Sequence, residues 1–325
     1  MLVLSAAQVE TLLDVDDLVD ALEKAMVDLS EGRLSMPSRV AAQVPEHHAM
    51  LVAMPAFLPS AGALTTKLVS LFPDNRDRPT HQALICCFDP HTGSPLAVMD
   101  GTYVTATRTA AGSALATRLL ARADAGVVAV IGTGTQARAH ALAVARLPGV
   151  AVVRVAGRNQ PDVEELVRRL GALGIPAEAA PSIEDAVSSA DVVCAATHSG
   201  SPVVLRRWLR AGAHVNSVGY NADGAGEVDT ATLRDALVVV ESRDAALAPP
   251  PTGAVEVRRA LELGAISSHD LVEIGEISAG RRQGRVDENQ LTLYKSVGVA
   301  AQDAAAAALI LAAARERGVG TQVRI

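Results

Sequence analysis

This chain has few aromatic residues and few cysteines, and it has no excess of positive charge. Its 325 residues include one Trp, three Tyr and three Phe, together 2% of the sequence. So few rings argue against a base-stacking surface for single-stranded nucleic acid. The net charge of −7 argues equally against a basic patch that neutralises phosphates. We therefore expect no nucleic-acid partner.

Three cysteines are too few for a disulfide framework, since Cys86 and Cys87 are adjacent and Cys194 stands alone. No apolar run reaches the ~18 uncharged residues of a membrane span. The N-terminus turns acidic without the basic start of a signal peptide. The pair His47-His48 has no Cys, Asp or Glu cluster at ligand spacing beside it, so we expect no metal. Together these absences predict a reduced cytoplasmic protein with no membrane partner.

The chain has the length and composition of a folded protein with two domains. Apolar residues make up 49% of it and charged residues 20%, which excludes intrinsic disorder. From Val127 onward, short apolar runs alternate with helical patterns, as in a parallel sheet covered on both faces. The predicted strands lie within residues 127–134, 151–157, 190–197, 213–219 and 236–242. This rhythm predicts an α/β fold with a doubly wound parallel sheet.

The first part of the chain has a different texture. A helical pattern extends to Leu34, and short β-rich runs broken by prolines follow up to Pro95, with a hairpin turn at 89–93. Residues 105–122 form a small-residue helix by pattern, and a long Ala-rich helix at 297–317 is expected to return to this part. We therefore predict a discontinuous α+β domain of residues 1–122 plus 298–325, with the α/β domain of residues 123–297 inserted into it.

The motif with the clearest chemistry is a GxGxxA turn. It directly follows the strand VVAVI and opens a helix, which is the context of a dinucleotide fingerprint rather than of an ordinary glycine-rich turn. The first two glycines allow a tight turn and close approach of the backbone to a pyrophosphate, and the helix N-terminus attracts the phosphates. The residues assigned to cofactor binding are Gly132, Thr133, Gly134, Thr135, Gln136 and Ala137.

The end of the second strand bears on which dinucleotide binds. NAD sites usually place Asp or Glu there to accept a hydrogen bond from the ribose 2′-OH. Here the chain has Gly157, Arg158 and Asn159, and an arginine can pair with a 2′-phosphate. We therefore favour NADP(H), while NAD(H) stays open because the arginine could stack on adenine in either cofactor.

Three cations lie inside apolar or small-residue runs of the first domain: Arg39, Lys67 and Arg108. A buried cation is costly without an anion, and no acid in the sequence matches these three. They indicate a substrate with a carboxylate. The alternative for each residue alone is a surface side chain whose stem lies along apolar surface.

A series of short strings runs through the chain in a fixed order. They are Lys67, Phe72-Pro73-Asp74-Asn75, Pro79, Phe88-Asp89, Thr92-Gly93, Met99-Asp100-Gly101, Thr105-Ala106-Thr107-Arg108-Thr109-Ala110-Ala111, the glycine turn, Glu273-Ile274-Gly275-Glu276, Lys295-Ser296-Val297-Gly298 and Asp303. In this specific order they make the chain resemble the ornithine cyclodeaminase/μ-crystallin family along nearly its whole length.

The resemblance implies a homodimer, with a Rossmann domain and a discontinuous substrate-binding and dimerisation domain. It also implies that Arg39, Lys67 and Arg108 hold the α-carboxylate of an amino or imino acid. It adds cofactor-binding residues outside the glycine turn, which are Thr109, Thr197, Val218, Gly219, Ser296 and Val297.

Departures from the family pattern narrow the choice among the family's activities. The catalytic Asp of cyclodeaminases falls on Asn221, their Lys falls on Ala225, and Val52 replaces the Glu that holds a distal amine. An amide cannot shuttle protons as a carboxylate can, although Asn221 can still hydrogen-bond a substrate nitrogen or a water. Asp223 is the candidate substitute for the missing acid if the segment shifts register.

These departures favour a reductase of cyclic ketimine carboxylates such as Δ1-pyrroline-2-carboxylate or Δ1-piperideine-2-carboxylate. Lys67 and Asn221 are then the candidate catalytic residues, with Lys67 or a water held by Asn221 supplying a proton. Two alternatives stay open. One is an ornithine cyclodeaminase or alanine-type dehydrogenase that releases ammonia, and the other is an NADPH-dependent ligand-binding protein of the μ-crystallin kind.

Overall fold

The computed structural model describes residues 1–220, 224–250 and 252–324. The chain divides into two compact units, residues 1–108 with 298–325, and residues 109–297. The predicted domain boundaries differ from these at one place only. The first predicted boundary falls after residue 122, just beyond the helix Gly101–Leu120, whereas the two units divide within that helix, after Arg108. The domain division of the sequence analysis therefore stays a proposal.

The structure contains strands and helices in the following order. The strands are β1 (Leu2–Leu4), β2 (Val40–Val44), β3 (Ala49–Leu58), β4 (Ala63–Leu71), β5 (His81–Phe88), β6 (Pro95–Asp100), β7 (Val127–Ile131), β8 (Val152–Ala156), β9 (Ala177–Ala179), β10 (Val192–Ala195), β11 (His214–Ser217), β12 (Ala236–Val240), β13 (Val272–Glu273), β14 (Leu291–Lys295) and β15 (Thr321–Gln322). The helices are α1 (Ala6–Leu12), α2 (Val15–Ser30), α3 (Gly101–Leu120), α4 (Thr135–Val144), α5 (Gln160–Ala172), α6 (Ile183–Ser188), α7 (Thr230–Asp235), α8 (Arg243–Leu247), α9 (Val255–Glu262), α10 (Ile274–Ser278) and α11 (Ala300–Arg317).

The first unit is built on a seven-stranded sheet in the order β15-β1-β6-β5-β4-β3-β2. Neighbouring strands in this sheet are antiparallel, except that β1 and β6 are parallel. Strands β5 and β6 form the predicted hairpin. The Ala-rich helix α11 packs on β3, β4 and β5 and against α2, as expected from its composition. One face of the sheet is therefore covered by helices of the same unit.

The opposite face of this sheet carries a lateral row of apolar side chains. Val40 lies opposite Ala53, Ala53 opposite Leu68, and Leu68 opposite Leu84 on four adjacent strands. Val40 is 69% exposed and Leu84 is 50% exposed. We refer to this row as the open sheet face.

The second unit is an eight-stranded sheet in the order β13-β12-β14-β11-β10-β7-β8-β9, and every pairing in it is parallel. From β7 the chain continues to β8 and β9 on one side of the sheet and then to β10 and β11 on the other side. The topological switch point therefore lies between β7 and β10. This confirms the predicted doubly wound α/β sheet of Rossmann type. Strand β14, which the sequence analysis did not predict, lies between β11 and β12.

Candidate functional site

Lys67 lies in the middle of the covered face of the first unit. It stands on β4 opposite Met54 of β3 and Ile85 of β5, so its neighbours along the sheet are apolar. The side chain is only 2% exposed. Its Nζ lies 2.8 Å from Oδ2 of Asp303, on helix α11, and 3.4 Å from Oγ1 of Thr105. The sheet therefore presents a buried ammonium to the first turn of α11.

Arg108 reaches the same turn of α11 from helix α3. Its Nε donates to Oδ1 of Asp303 at 3.1 Å, and its Nη1 donates to Oε1 of Gln302 at 2.7 Å. Arg39 completes the group because its Nη2 donates to the carbonyl oxygen of Gly298 at 2.7 Å. The structure thus brings together the three cations that the sequence analysis predicted as carboxylate-binding residues. We refer to Arg39, Lys67, Arg108 and Asp303 as the cation cluster.

Gly298 is required by the shape of this cluster. Its φ is +71°, a conformation that side chains disfavour, and a Cβ there would lie 2.7 Å from Nη1 of Arg108. The glycine therefore lets the backbone pass directly beside the guanidinium while its carbonyl accepts a hydrogen bond from Arg39.

One sequence-based statement about the cluster is wrong: an acid does match the cations. Asp303 lies 195 residues from Arg108 along the chain, and only the return of α11 to the first unit brings them together. In the sequence, Asp303 stands out only as part of a family string. The signal that could have identified it is a charged residue in the first turn of an otherwise apolar, Ala-rich helix.

The electrostatics of the cluster lower the pKa of Lys67 to about 8. Burial is the main cause and the charges of Arg108 and Arg39 add to it, while Asp303 opposes them. Burial alone would raise the pKa of Asp303, but the charges of Lys67 and Arg108 hold it below its usual value. The arrangement contains a carboxylate that stays ionised and an ammonium that can release its proton near neutral pH.

The glycine turn of the second unit connects β7 to α4. Gly132 has a φ of +116°, and a Cβ there would lie 2.6 Å from the carbonyl oxygen of Ala196. A Cβ on Gly134 would meet nothing within 4 Å, and no described side chain caps the N-terminus of α4. Gly134 therefore leaves space beside the N-terminus of α4, whose first N–H groups are the donor set that a pyrophosphate needs. The turn fits a dinucleotide.

The other predicted cofactor residues follow parallel strands and so share the carboxyl edge of the sheet. Thr197 follows β10, Val218 and Gly219 follow β11, and Ser296 and Val297 follow β14. Arg158 and Asn159 are exposed after β8, and Asn159 donates to Asp162 at 2.9 Å. Thr109 is the exception, since it lies on α3.

The residues at which the chain departs from the family pattern are placed only in part. Asn221 and Asp223 are outside the described residues. Val52 is buried on β3 opposite Val69, an apolar setting. Among the described residues, no three His, Cys, Asp or Glu side chains come together as a metal site requires, and no helix is both long and apolar enough to cross a membrane.

Several known proteins are similar to this chain over nearly its whole length. The chain is 34% identical over 314 residues to the ketimine reductase mu-crystallin of Mus musculus, covering 94% of this chain and 95% of that one. The structure of Thermococcus litoralis Delta(1)-pyrroline-2-carboxylate reductase with NADH and L-proline matches with a TM-score of 0.92 and 35% identity, over 99% of this chain and 100% of that one. An archaeal alanine dehydrogenase dimer with bound NAD matches with a TM-score of 0.91 and 33% identity, over 100% and 99%.

The parallel sheet, the glycine turn and these relatives define an NAD(P)-dependent oxidoreductase that acts on C–N bonds. More particularly, the chain belongs to the ornithine cyclodeaminase/mu-crystallin family, whose model matches residues 1–318.

Proposed function

We propose that this protein reduces a cyclic ketimine carboxylate to the corresponding cyclic L-amino acid. The observation that carries the proposal is the cation cluster, in which Lys67 and Arg108 share the carboxylate of Asp303 and Arg39 lies on the adjoining backbone. Positive groups grouped in this way attract a carboxylate, and the pKa of Lys67 suits proton donation at physiological pH.

In this mechanism Arg108 and Arg39 hold the substrate carboxylate, which orients the α-carbon. A nicotinamide cofactor, when bound, would supply the hydride that the α-carbon accepts. The C=N double bond becomes a single bond, and the nitrogen keeps its proton or takes one from Lys67. Asp303 keeps Lys67 protonated below about pH 8 by opposing the effect of burial.

The substrate class follows from what the pocket residues can pair. A cyclic ketimine such as Δ1-pyrroline-2-carboxylate or Δ1-piperideine-2-carboxylate has one carboxylate and no distal amine. A second ammonium would face the apolar side chain of Val52 where the family places a Glu, which is unfavourable by several kcal/mol. The names of the Thermococcus litoralis and mouse relatives point to the same class of substrate.

The proposed cofactor is NADP(H). Strand β8 ends at Ala156 and is followed by the exposed Arg158 rather than by an acid. A guanidinium in that place can pair with a 2′-phosphate. The carboxylate closest in the chain is Asp162, which accepts a hydrogen bond from Asn159 and would be the candidate partner of an NAD(H) ribose. Two of the related structures contain NADH or NAD.

We also propose that the protein is a homodimer formed through the open sheet face. Exposed Val40 and Leu84 would become buried by a second copy of the same face, as a two-fold interface requires. The related alanine dehydrogenase is described as a dimer. A cytoplasmic location is proposed because Cys86, Cys87 and Cys194 are free.

An amino-acid dehydrogenase is the second candidate, since an alanine dehydrogenase matches over the whole chain. The two functions separate in one assay of purified protein. Oxidation of NADPH is followed with Δ1-pyrroline-2-carboxylate, and reduction of NADP⁺ and NAD⁺ with L-alanine, L-ornithine and L-proline. Turnover with the imine and no ammonia from alanine or ornithine is the expected result. Ammonia release from either amino acid would replace the proposal with a deaminating enzyme.

A further inference from the structure

A buried carboxylate joins two segments at the carboxyl edge of the second unit's sheet. Glu227 is only 1% exposed. Its Oε1 accepts hydrogen bonds from the backbone N–H of Thr197 at 2.5 Å and from the Thr197 hydroxyl at 2.7 Å. Its Oε2 accepts from the backbone N–H of Gly219 at 2.6 Å. One side chain therefore holds the segment after β10 and the segment after β11.

A second buried pair holds Gly219 from its other side. Nζ of Lys295 donates to the carbonyl oxygen of Gly219 at 2.9 Å and lies 2.9 Å from Oε1 of Glu256. The hydroxyl of Ser217 is 3.1 Å from the same Glu256 oxygen. Both polar groups of the Gly219 backbone are thus bound to buried charged side chains. We refer to Glu227, Glu256 and Lys295 as the edge cluster.

The packing leaves no tolerance at Gly219. A Cβ there would lie 2.3 Å from Cδ of Glu227 and 2.2 Å from the carbonyl oxygen of Thr197. A Cβ on Gly226 would similarly lie 2.6 Å from Cβ of Glu256. The backbone therefore rests directly against the carboxylates, and the hydrogen bonds have little freedom to lengthen.

The topology of the sheet relates this cluster to one half of the cofactor. In a doubly wound sheet the dinucleotide lies across the switch point, here between β7 and β10, with the glycine turn at the adenine-side half. Thr197 follows β10, Gly219 follows β11 and Lys295 ends β14, and these are the strands of the other half. That half receives the nicotinamide nucleotide.

We propose that Glu227 is a positioning residue that fixes Thr197 and Gly219 for the nicotinamide half of the cofactor, with Lys295 and Glu256 holding Gly219 in place. The proposal rests on the nicotinamide cofactor of the proposed function but not on the identity of the substrate. Glu227 acts through the two backbone segments and takes part in no bond that forms or breaks.

The chain offers a matched control at the opposite edge of the same sheet. Asp191 is also buried, and its Oδ2 accepts hydrogen bonds from the backbone N–H groups of Gly126 and Val127, both at 3.0 Å. Asp191 directly precedes β10, so it lies at the amino edge. Asp191→Asn and Glu227→Gln therefore each replace a carboxylate oxygen that accepts backbone N–H bonds, one at each edge of the sheet, and the other oxygen of Asp191 also pairs with Arg122.

The test measures NADPH binding by fluorescence and native-state hydrogen exchange, both without substrate. In Glu227→Gln the amide NH₂ cannot accept from the Gly219 N–H, so we expect exchange at Gly219 to become about tenfold faster. The Kd for NADPH should rise about tenfold, because the segments are no longer held in the binding arrangement. Asp191→Asn should lower the thermal midpoint similarly and leave the Kd unchanged.

Equal Kd values for Glu227→Gln and the unaltered protein would overturn the proposal, as would an equal rise in Asp191→Asn. If Glu227→Gln does not fold, exchange in the unaltered protein decides. The amides of Thr197 and Gly219 must then exchange as slowly as those within β10 and β11, and rapid exchange contradicts the proposal. A failure to reduce imines would overturn the proposed substrate and leave both readouts interpretable.

Discussion

Asp303 binds Lys67 through one carboxylate oxygen, at 2.8 Å, and Arg108 through the other, at 3.1 Å. The three side chains are nearly inaccessible to water. Two cations side by side in a buried site repel each other, and a shared carboxylate offsets that repulsion. Asp303 therefore sets the protonation of Lys67 and the orientation of Arg108 together. This role leads to the first two predictions.

The rate of imine reduction should depend on pH through Lys67. The pKa of Lys67 is about 8, so below that pH the side chain is an ammonium that attracts the substrate carboxylate and can donate a proton. We expect kcat/KM to fall by about tenfold per pH unit above pH 8. A pH profile of the unaltered enzyme measures this. A flat profile up to pH 10 would rule out the charge of Lys67 as a requirement.

Asp303→Asn should move that decline to lower pH. Asp303 raises the pKa of Lys67, so its neutralisation lets burial and the charges of Arg108 and Arg39 lower the pKa further. The variant also loses about 3 kcal/mol of stability, since it leaves buried cations without their partner. Profiles recorded at a temperature where the variant stays folded measure the shift. An alkaline limb at the unaltered position would show that Asp303 does not control Lys67.

Arg158→Ala should distinguish the two nicotinamide cofactors. If Arg158 pairs with a 2′-phosphate, the Kd for NADPH rises by about tenfold or more and that for NADH stays the same. Arg154→Ala is the control, because Arg154 lies within β8, just before Arg158 in the chain, and pairs with Glu178 on the neighbouring strand β9. Equal effects of Arg158→Ala on both cofactors would mean that the arginine serves the adenine half without discriminating.

Leu84→Arg should convert the proposed dimer to a monomer. Leu84 is 50% exposed at one end of the open sheet face, and a second copy packed on that face would bury the new guanidinium without an anionic partner. Light scattering with size-exclusion chromatography measures the mass. Leu263→Arg provides the control, since Leu263 is 64% exposed and lies outside that face. A Leu84→Arg protein that stays dimeric would place the interface elsewhere.

Local patterns predicted the parts of this protein that depend on neighbouring residues. The glycine turn follows β7 and opens α4 as expected, since strand, turn and helix are contiguous in the chain. The helix at Val15–Ser30 and the β5–β6 hairpin were likewise readable from periodicity and turn residues.

Contacts between distant residues were not predictable in the same way. Asp303 pairs with Lys67 only because α11 returns to the first unit. The bonds of Glu227 to Thr197 and Gly219 depend on the order of β10 and β11 in the sheet. Strand β14 is not predicted from the sequence, because LTLYK is a short run that lacks turn residues on at least one of its two sides. The resemblance to a family nevertheless pointed to Ser296 and Val297, which directly follow it.

The central claim is that Lys67 serves imine reduction and not cofactor binding. Lys67→Met tests it most directly, because methionine keeps a long side chain and removes the charge. NADPH oxidation with Δ1-pyrroline-2-carboxylate is measured beside the Kd for NADPH. The account predicts that kcat/KM falls about a hundredfold or more while the Kd stays unchanged. Full activity in Lys67→Met would contradict the assignment of the cation cluster as the substrate site.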